Sequence, residues 1–298
     1  MISAEAEVCG GSPPLTLLTP SYVGDRERCR LLCESTLRHG GGAPHLVIVP
    51  GRDLRGFTTA MSGLAHVRLI AEEDYLPWWL IRLPIFRRWR LNLTGFPVRG
   101  WIAQQIVKLA AASQAPSERL VILDSDTWLI ADLDAERRFV DAQGRWRLLS
   151  VPGRGATPEH HPWHRQATRL LGLPSQDYCG KGWIGNVVCW RRSVVEQLCA
   201  QLSARHGRDW RIVLAGQTTL SEYILYGVFV EQVLGAAAAG HWCDAENPVL
   251  EHWAETALDE AALTAFFARL TPAHRAVMIS AKSGTAFAGI RARISALT

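Results

Sequence analysis

Four apolar residues, Leu120-Val121-Ile122-Leu123, run directly into Asp124-Ser125-Asp126-Thr127. A short apolar run bounded by polar residues predicts a buried strand. This strand delivers two carboxylates separated by one residue. In extended geometry positions i and i+2 point the same way, so both can reach one hard cation, with diphosphate oxygens completing its shell. Mg²⁺ and Mn²⁺ favour such oxygen-rich shells. Open α/β sheets bind ligands beyond the carboxyl ends of their strands, which is where this pair falls. The competing reading is a solvated loop in which Asp or Ser caps a following helix.

The rest of the first half agrees with that placement. Residues 15–19 read as a strand ended by Pro20, and 25–39 as a helix ended by Gly40-Gly41-Gly42. A strand at 45–49 stops at Pro50-Gly51, another fits 67–70, and 100–113 is a helix with Ile102, Ile106 and Leu109 on one face. Alternation of this kind predicts a mostly parallel sheet flanked by helices. In the second half, strands fit 147–151, 187–190 and 276–280, and helices fit 191–206, 219–230 and 259–270; 153–172 reads as a loop and then a helix.

The chain has 298 residues, 48% of them hydrophobic and 20% charged, which is globular and not disordered composition. A net charge of +4 suits an anionic ligand such as a nucleotide diphosphate and is too weak for nucleic-acid binding. Seven Cys without a CxxC pair predict reduced thiols and a cytoplasmic protein. Residues 1–10 lack the basic and apolar regions of a secretion signal, and no apolar run is long enough to span a membrane.

Other features carry candidate chemistry. Lys108 shares a helix face with Gln104, with Gln105 adjacent, and could neutralise a phosphate; the ordinary reading is a solvated lysine. Thr19-Pro20-Ser21-Tyr22 closes the first strand, with Tyr22 able to stack on a base; alone it would be a turn. Glu222 is a candidate general base, although Thr219-x-x-Glu222 is also a capping-box pattern. Gly180–Asn186 combines three glycines with Trp183, suiting close approach of a sugar. His241, His252 and His274 are late candidates for a metal ligand. Lys282-Ser283-Gly284-Thr285 could touch phosphate but lacks the glycine of a P-loop. From 77 to 101, Trp78, Trp79, Trp89 and Trp101 interleave with Arg82, Arg87, Arg88, Arg90 and Arg99. That pattern fits a peripheral membrane contact, a sugar acceptor site, or aromatics packed onto the domain.

Taken in order, these pieces resemble the GT-A class of glycosyltransferases and, more narrowly, the bacterial DUF6492 family. The likeness rests on Thr19-Pro20-Ser21-Tyr22 with Asp25-Arg26, on Gly100-Trp101-x-x-Gln104-Gln105-x-x-Lys108-Leu109, and on Asp124-Ser125-Asp126. It continues through Gly185-Asn186 and Ser221-Glu222-Tyr223-x-x-Tyr226-Gly227. The resemblance implies a GT-A-like, Rossmann-type domain over 15–298 after a flexible 1–14, with a nucleotide-binding half (15–130) and an acceptor-binding half (131–298). It implies a donor site at Thr19, Tyr22, Arg26, Gln105, Lys108, Asp124 and Asn186. It further implies Mn²⁺ or Mg²⁺ at Asp126 and, directly or through water, Asp124, with His241 as the candidate third ligand. No histidine-containing C-terminal metal motif is recognisable.

The expected activity is transfer of a sugar from a nucleotide diphosphate to a hydroxyl acceptor, with Glu222 as base if the anomeric centre inverts. The acceptor class stays open: glycan, lipid-linked sugar, peptide or small molecule. One rival is a sugar-phosphate nucleotidyltransferase, although Thr19 to Arg26 holds only Gly24 where such an enzyme needs a glycine-rich phosphate loop. The other is a non-catalytic carbohydrate-binding protein with a vestigial site.

Overall fold

The computed structural model describes residues 14–82 and 89–297. Nearly all of the expected flexible N-terminus therefore lies outside the described residues, as do Pro84, Arg87 and Arg88 of the Trp/Arg stretch.

Five strands build the central sheet: β1 (Leu15–Pro20), β2 (His45–Val49), β3 (Val67–Ala71), β4 (Arg119–Leu123) and β5 (Val187–Arg191). Their order is β5-β4-β1-β2-β3. All neighbours are parallel except β5, which runs antiparallel to β4 with Val187 opposite Leu123. A sheet covered on both faces needs apolar residues on both sides of each strand. Here Leu18, Leu120, Ile122, Val188 and Trp190 enter one core, while Leu17, Val121, Leu123, Val187 and Cys189 enter the other.

On the first face lie α2 (Gly100–Ser113), the helix 192–206 and α3 (Glu222–Val228), while α1 (Arg26–His39) lies on the opposite face, where Leu31 and Leu32 join the second core. α2 buries Ile102, Ile106 and Leu109, the stripe expected from its sequence. The opposite face is closed by a three-stranded sheet of Val249–His252, Ala276–Ile279 and Thr127–Leu129, with helices 260–267 and 287–297 outside it. A small antiparallel sheet of Leu80–Arg82, Trp89–Asn92 and Val98–Arg99 leads into α2. Two packing details follow from burial. Gly227 admits no side chain, because a Cβ there would fall 2.2 Å from the Trp183 ring. The six described cysteines are free thiols, with Cys29 and Cys33 both buried on one face of α1.

His45 is fully buried on β2, where Thr19 Oγ1 and Thr36 Oγ1 meet its Nε2 and Nδ1 at 2.8 and 3.0 Å. Burial, then the nearby His66, pushes its pKa down to about 3. An unfolded histidine titrates near 6.5, so below that pH the unfolded chain binds a proton the folded one refuses. Stability is therefore lost as pH falls from about 6.5, by on the order of 2 kcal/mol at pH 5 from His45 alone. Thermal denaturation of His45→Gln should show a shallower loss between pH 7 and 5; an unchanged slope would contradict this account.

Candidate functional site

Asp124-Ser125-Asp126 does not continue the strand. The Thr127 amide returns to the Asp124 carbonyl at 3.0 Å, which makes the motif a tight turn between β4 and the short strand Thr127–Leu129. The extended i, i+2 geometry expected from sequence is thereby corrected. The two carboxylates diverge in their contacts yet line one cleft of about 420 Å³ at the carboxyl edge of the sheet.

Asp124 faces α2. Its Oδ1 lies 3.6 Å from Lys108 Nζ, which also sits 2.6 Å from Glu222 Oε1 and donates to the Tyr223 hydroxyl at 3.0 Å. Burial disfavours the ammonium, but Glu222, Tyr223 and Asp124 outweigh it and hold its pKa well above the ordinary lysine value. Lys108 is thus the shared counter-ion of two carboxylates, not the solvated lysine that its spacing suggested. Asp126 faces the other way, where one oxygen accepts the Ala281 amide at 2.8 Å. Burial, then the charge on Asp124, raises its pKa to about 6 against the pull of that amide. Asp25 completes the acidic side: Ser125 Oγ donates to it at 3.4 Å, and burial raises its pKa while Arg28 opposes the rise.

The raised Asp126 and Asp25 carboxyls, each close to the charge of Asp124, fit a site that a cation would stabilise. The donor set is all oxygen, as Mg²⁺ and Mn²⁺ prefer. Among the described residues no group of three or more His, Cys, Asp or Glu side chains is placed to hold a metal ion by itself.

Glu222 begins α3, but Thr219 does not cap it. Ser221 is the N-cap, and its Oγ accepts the Ile224 amide at 3.4 Å. The Glu222 carboxylate is thereby released from the capping-box role and turned to Lys108. Gln105 pins the same turn, donating to the Leu220 carbonyl at 3.0 Å and accepting the Glu222 amide at 2.9 Å.

Of the residues singled out from sequence, the cleft gathers Tyr22, Lys108, Asp124, Asp126 and Glu222. Others lie elsewhere. Thr19 is buried against His45. Arg26 lines a separate groove with Arg55 and Arg291. Asn186 is buried and donates to Glu251 at 2.8 Å. His241 is not brought to the carboxylates. It is buried, and both ring nitrogens are engaged, Nε2 with the Tyr226 hydroxyl at 2.8 Å and Nδ1 with the Trp146 carbonyl at 2.9 Å. The exposed Lys282, noted from sequence as a possible phosphate contact, also lines the cleft, and residues not selected from sequence join it: Asp25, Trp163, Trp253 and Glu255. Of these only Asp25 stood in a readable motif. A second cleft of about 590 Å³ opens over the ends of β1, β2 and β3, and shares Pro20, Tyr22 and Gln104 with the first.

A mostly parallel sheet flanked by helices, with an acidic cleft at the carboxyl ends of its strands, defines a Rossmann-like α/β fold. The chain belongs to DUF6492, a family of unknown function whose profile matches residues 13–298. Comparison with curated proteins gives no match. Among solved structures, the galactosyltransferase LgtC, crystallised with donor and acceptor sugar analogs, is similar at 12% identity over 95% of this chain and 94% of its own, with a TM-score of 0.47. The bifunctional glycosyltransferase WbbM shows 10% identity over 92% of this chain and 47% of its own, with a TM-score of 0.47. TarS of S. aureus shows 11% identity over 62% and 30%, with a TM-score of 0.34. At these scores the likeness assigns no activity to this chain.

Replacing Lys108 leaves two carboxylates facing each other without their counter-ion, which typically costs about 3–5 kcal/mol. Lys108→Met should lower the melting temperature steeply, and Lys108→Met/Glu222→Gln should recover part of the loss. Purely additive effects in that double-mutant cycle would refute the coupling.

Proposed function

We propose that the protein is a glycosyltransferase that moves a sugar from a nucleotide diphosphate donor to a hydroxyl acceptor. The observation that carries this reading is the carboxylate turn Asp124–Asp126, set in a cleft that also holds Lys282 and that joins the larger cleft over β1 to β3. In this reading the nucleoside occupies the larger cleft against Tyr22, and the diphosphate reaches the carboxylate turn. Asp126 and Asp124 hold a divalent Mn²⁺ or Mg²⁺, which when bound neutralises charge on the departing diphosphate. Lys282, exposed beside Asp126, supplies a further positive charge to the phosphates. Lys108 keeps Asp124 and Glu222 in place.

The acceptor oxygen forms its bond to the anomeric carbon as the bond from that carbon to the diphosphate oxygen breaks. In an inverting reaction Glu222 receives the acceptor proton. The aromatic rim of Trp101, Trp163 and Trp253 suits an acceptor sugar, whose apolar faces pack on indole rings.

A thermal-shift panel of UDP, GDP and CMP sugars with and without Mn²⁺ tests the donor half, since a ligand of the folded state raises its melting temperature by mass action. One donor should stabilise the protein in a Mn²⁺-dependent manner, and Asp126→Asn should fold normally and lose that increment. An equal increment in the variant would end the metal-site reading. For the acceptor half, Glu222→Gln should lower kcat by about 10²- to 10⁴-fold while donor binding persists. Release of pyrophosphate from a nucleoside triphosphate and a sugar phosphate would identify a nucleotidyltransferase instead.

A further inference from the structure

The small antiparallel sheet before α2 has two unlike faces. Leu80, Arg90, Asn92 and Val98 point inward and are buried. There Arg82 and Arg90 both meet Glu72, Arg82 at 3.1 Å. The outward positions of the same strands are Ile81, Trp89, Leu91 and Arg99, all exposed. The flanking turns add Trp78 and Phe96, which are 82% and 91% exposed. Seven of the 12 large hydrophobic residues exposed among the described residues fall between 78 and 101, so the apolar exposure is a patch and not a scatter.

Charge gives the patch its partner. From Pro77 to Gly100 the sequence contains no Asp or Glu. On the outer face the Arg99 guanidinium lies over the Trp89 ring, 5.5 Å from its centroid. Indole rings and arginine together favour the headgroup region of a bilayer, where the ring is half-solvated and the cation meets lipid phosphate. No helix among the described residues is long and apolar enough to cross a membrane, so such a contact would be peripheral. A second copy on this face would bring Arg99 toward its own counterpart across a two-fold axis, whereas an anionic leaflet complements it.

We infer that the outer face of this sheet docks on an anionic lipid bilayer, with Trp78 and Phe96 entering the headgroup region and Arg99 meeting lipid phosphate. The inference goes beyond sugar transfer and does not depend on it.

Vesicle co-sedimentation of the full chain tests it, using phosphatidylcholine alone and phosphatidylcholine mixed with phosphatidylglycerol. The wild type should sediment with the mixed vesicles and much less with the neutral ones. Trp78→Ser/Phe96→Ser should reduce that partitioning by at least about tenfold, as expected for two large apolar side chains withdrawn from lipid. Both residues are exposed, so the melting temperature should stay within the wild-type range. Arg99→Glu should abolish the preference for anionic vesicles. Failure of the wild type to bind either vesicle would overturn the inference, as would equal binding by the double variant. A wild-type dimer that the double variant dissociates, without vesicle binding, would reassign the face to self-association.

Discussion

The Lys108 ammonium sits midway along α2, out of water, and can remain charged only if carboxylates surround it. Those carboxylates come from two places far apart in the chain, Asp124 at the end of β4 and Glu222 at the start of α3. One charge thereby locks a helix, a strand end and a second helix into a single arrangement. Gln105 reinforces it by holding the backbone of the turn before α3 from the same helix. The positions of Asp124 and Glu222 in the cleft are thus fixed by Lys108 and by the backbone contacts of Gln105.

Much of the sheet was readable because its boundaries carry chemistry. β2 stops where Pro50-Gly51 follows, and α2 occupies its expected residues because its apolar stripe is regular. The direction of β5 was not readable, since a strand buried on both faces looks the same in either orientation. The site was legible only where its residues share a local motif, as in the carboxylate turn. His241 failed as a ligand candidate because chain position says nothing of what surrounds a side chain; the fold gave both its nitrogens protein partners. The Thr219 pattern misled for a related reason: two possible caps stood two residues apart, and the chain used Ser221. Trp163 lies on the helix His161–Leu171, and Trp253 and Glu255 on the segment after the strand Val249–His252, stretches that meet only after folding.

The Trp/Arg stretch divides its aromatics among three environments. Trp79 is core, Trp101 rims the cleft, and Trp78 and Trp89 face solvent. Glu72 gathers Arg82 and Arg90 beneath the small sheet, and Glu72 and Arg82 also form part of the wall of the larger cleft. The inner face of this sheet therefore helps to build the larger cleft, while its outer face takes no part in it.

The antiparallel β5 has a consequence for how the chain reaches this state. Its partner β4 forms early in the sequence, but their pairing waits until all of residues 124–186 have been made and folded aside. Until then β4 presents a bare apolar edge, the kind that recruits strands from other molecules. Closure of such non-local pairs is slow on topological grounds. During synthesis the first half is therefore an unfinished sheet rather than a nascent domain, and its solubility depends on chain that has yet to emerge.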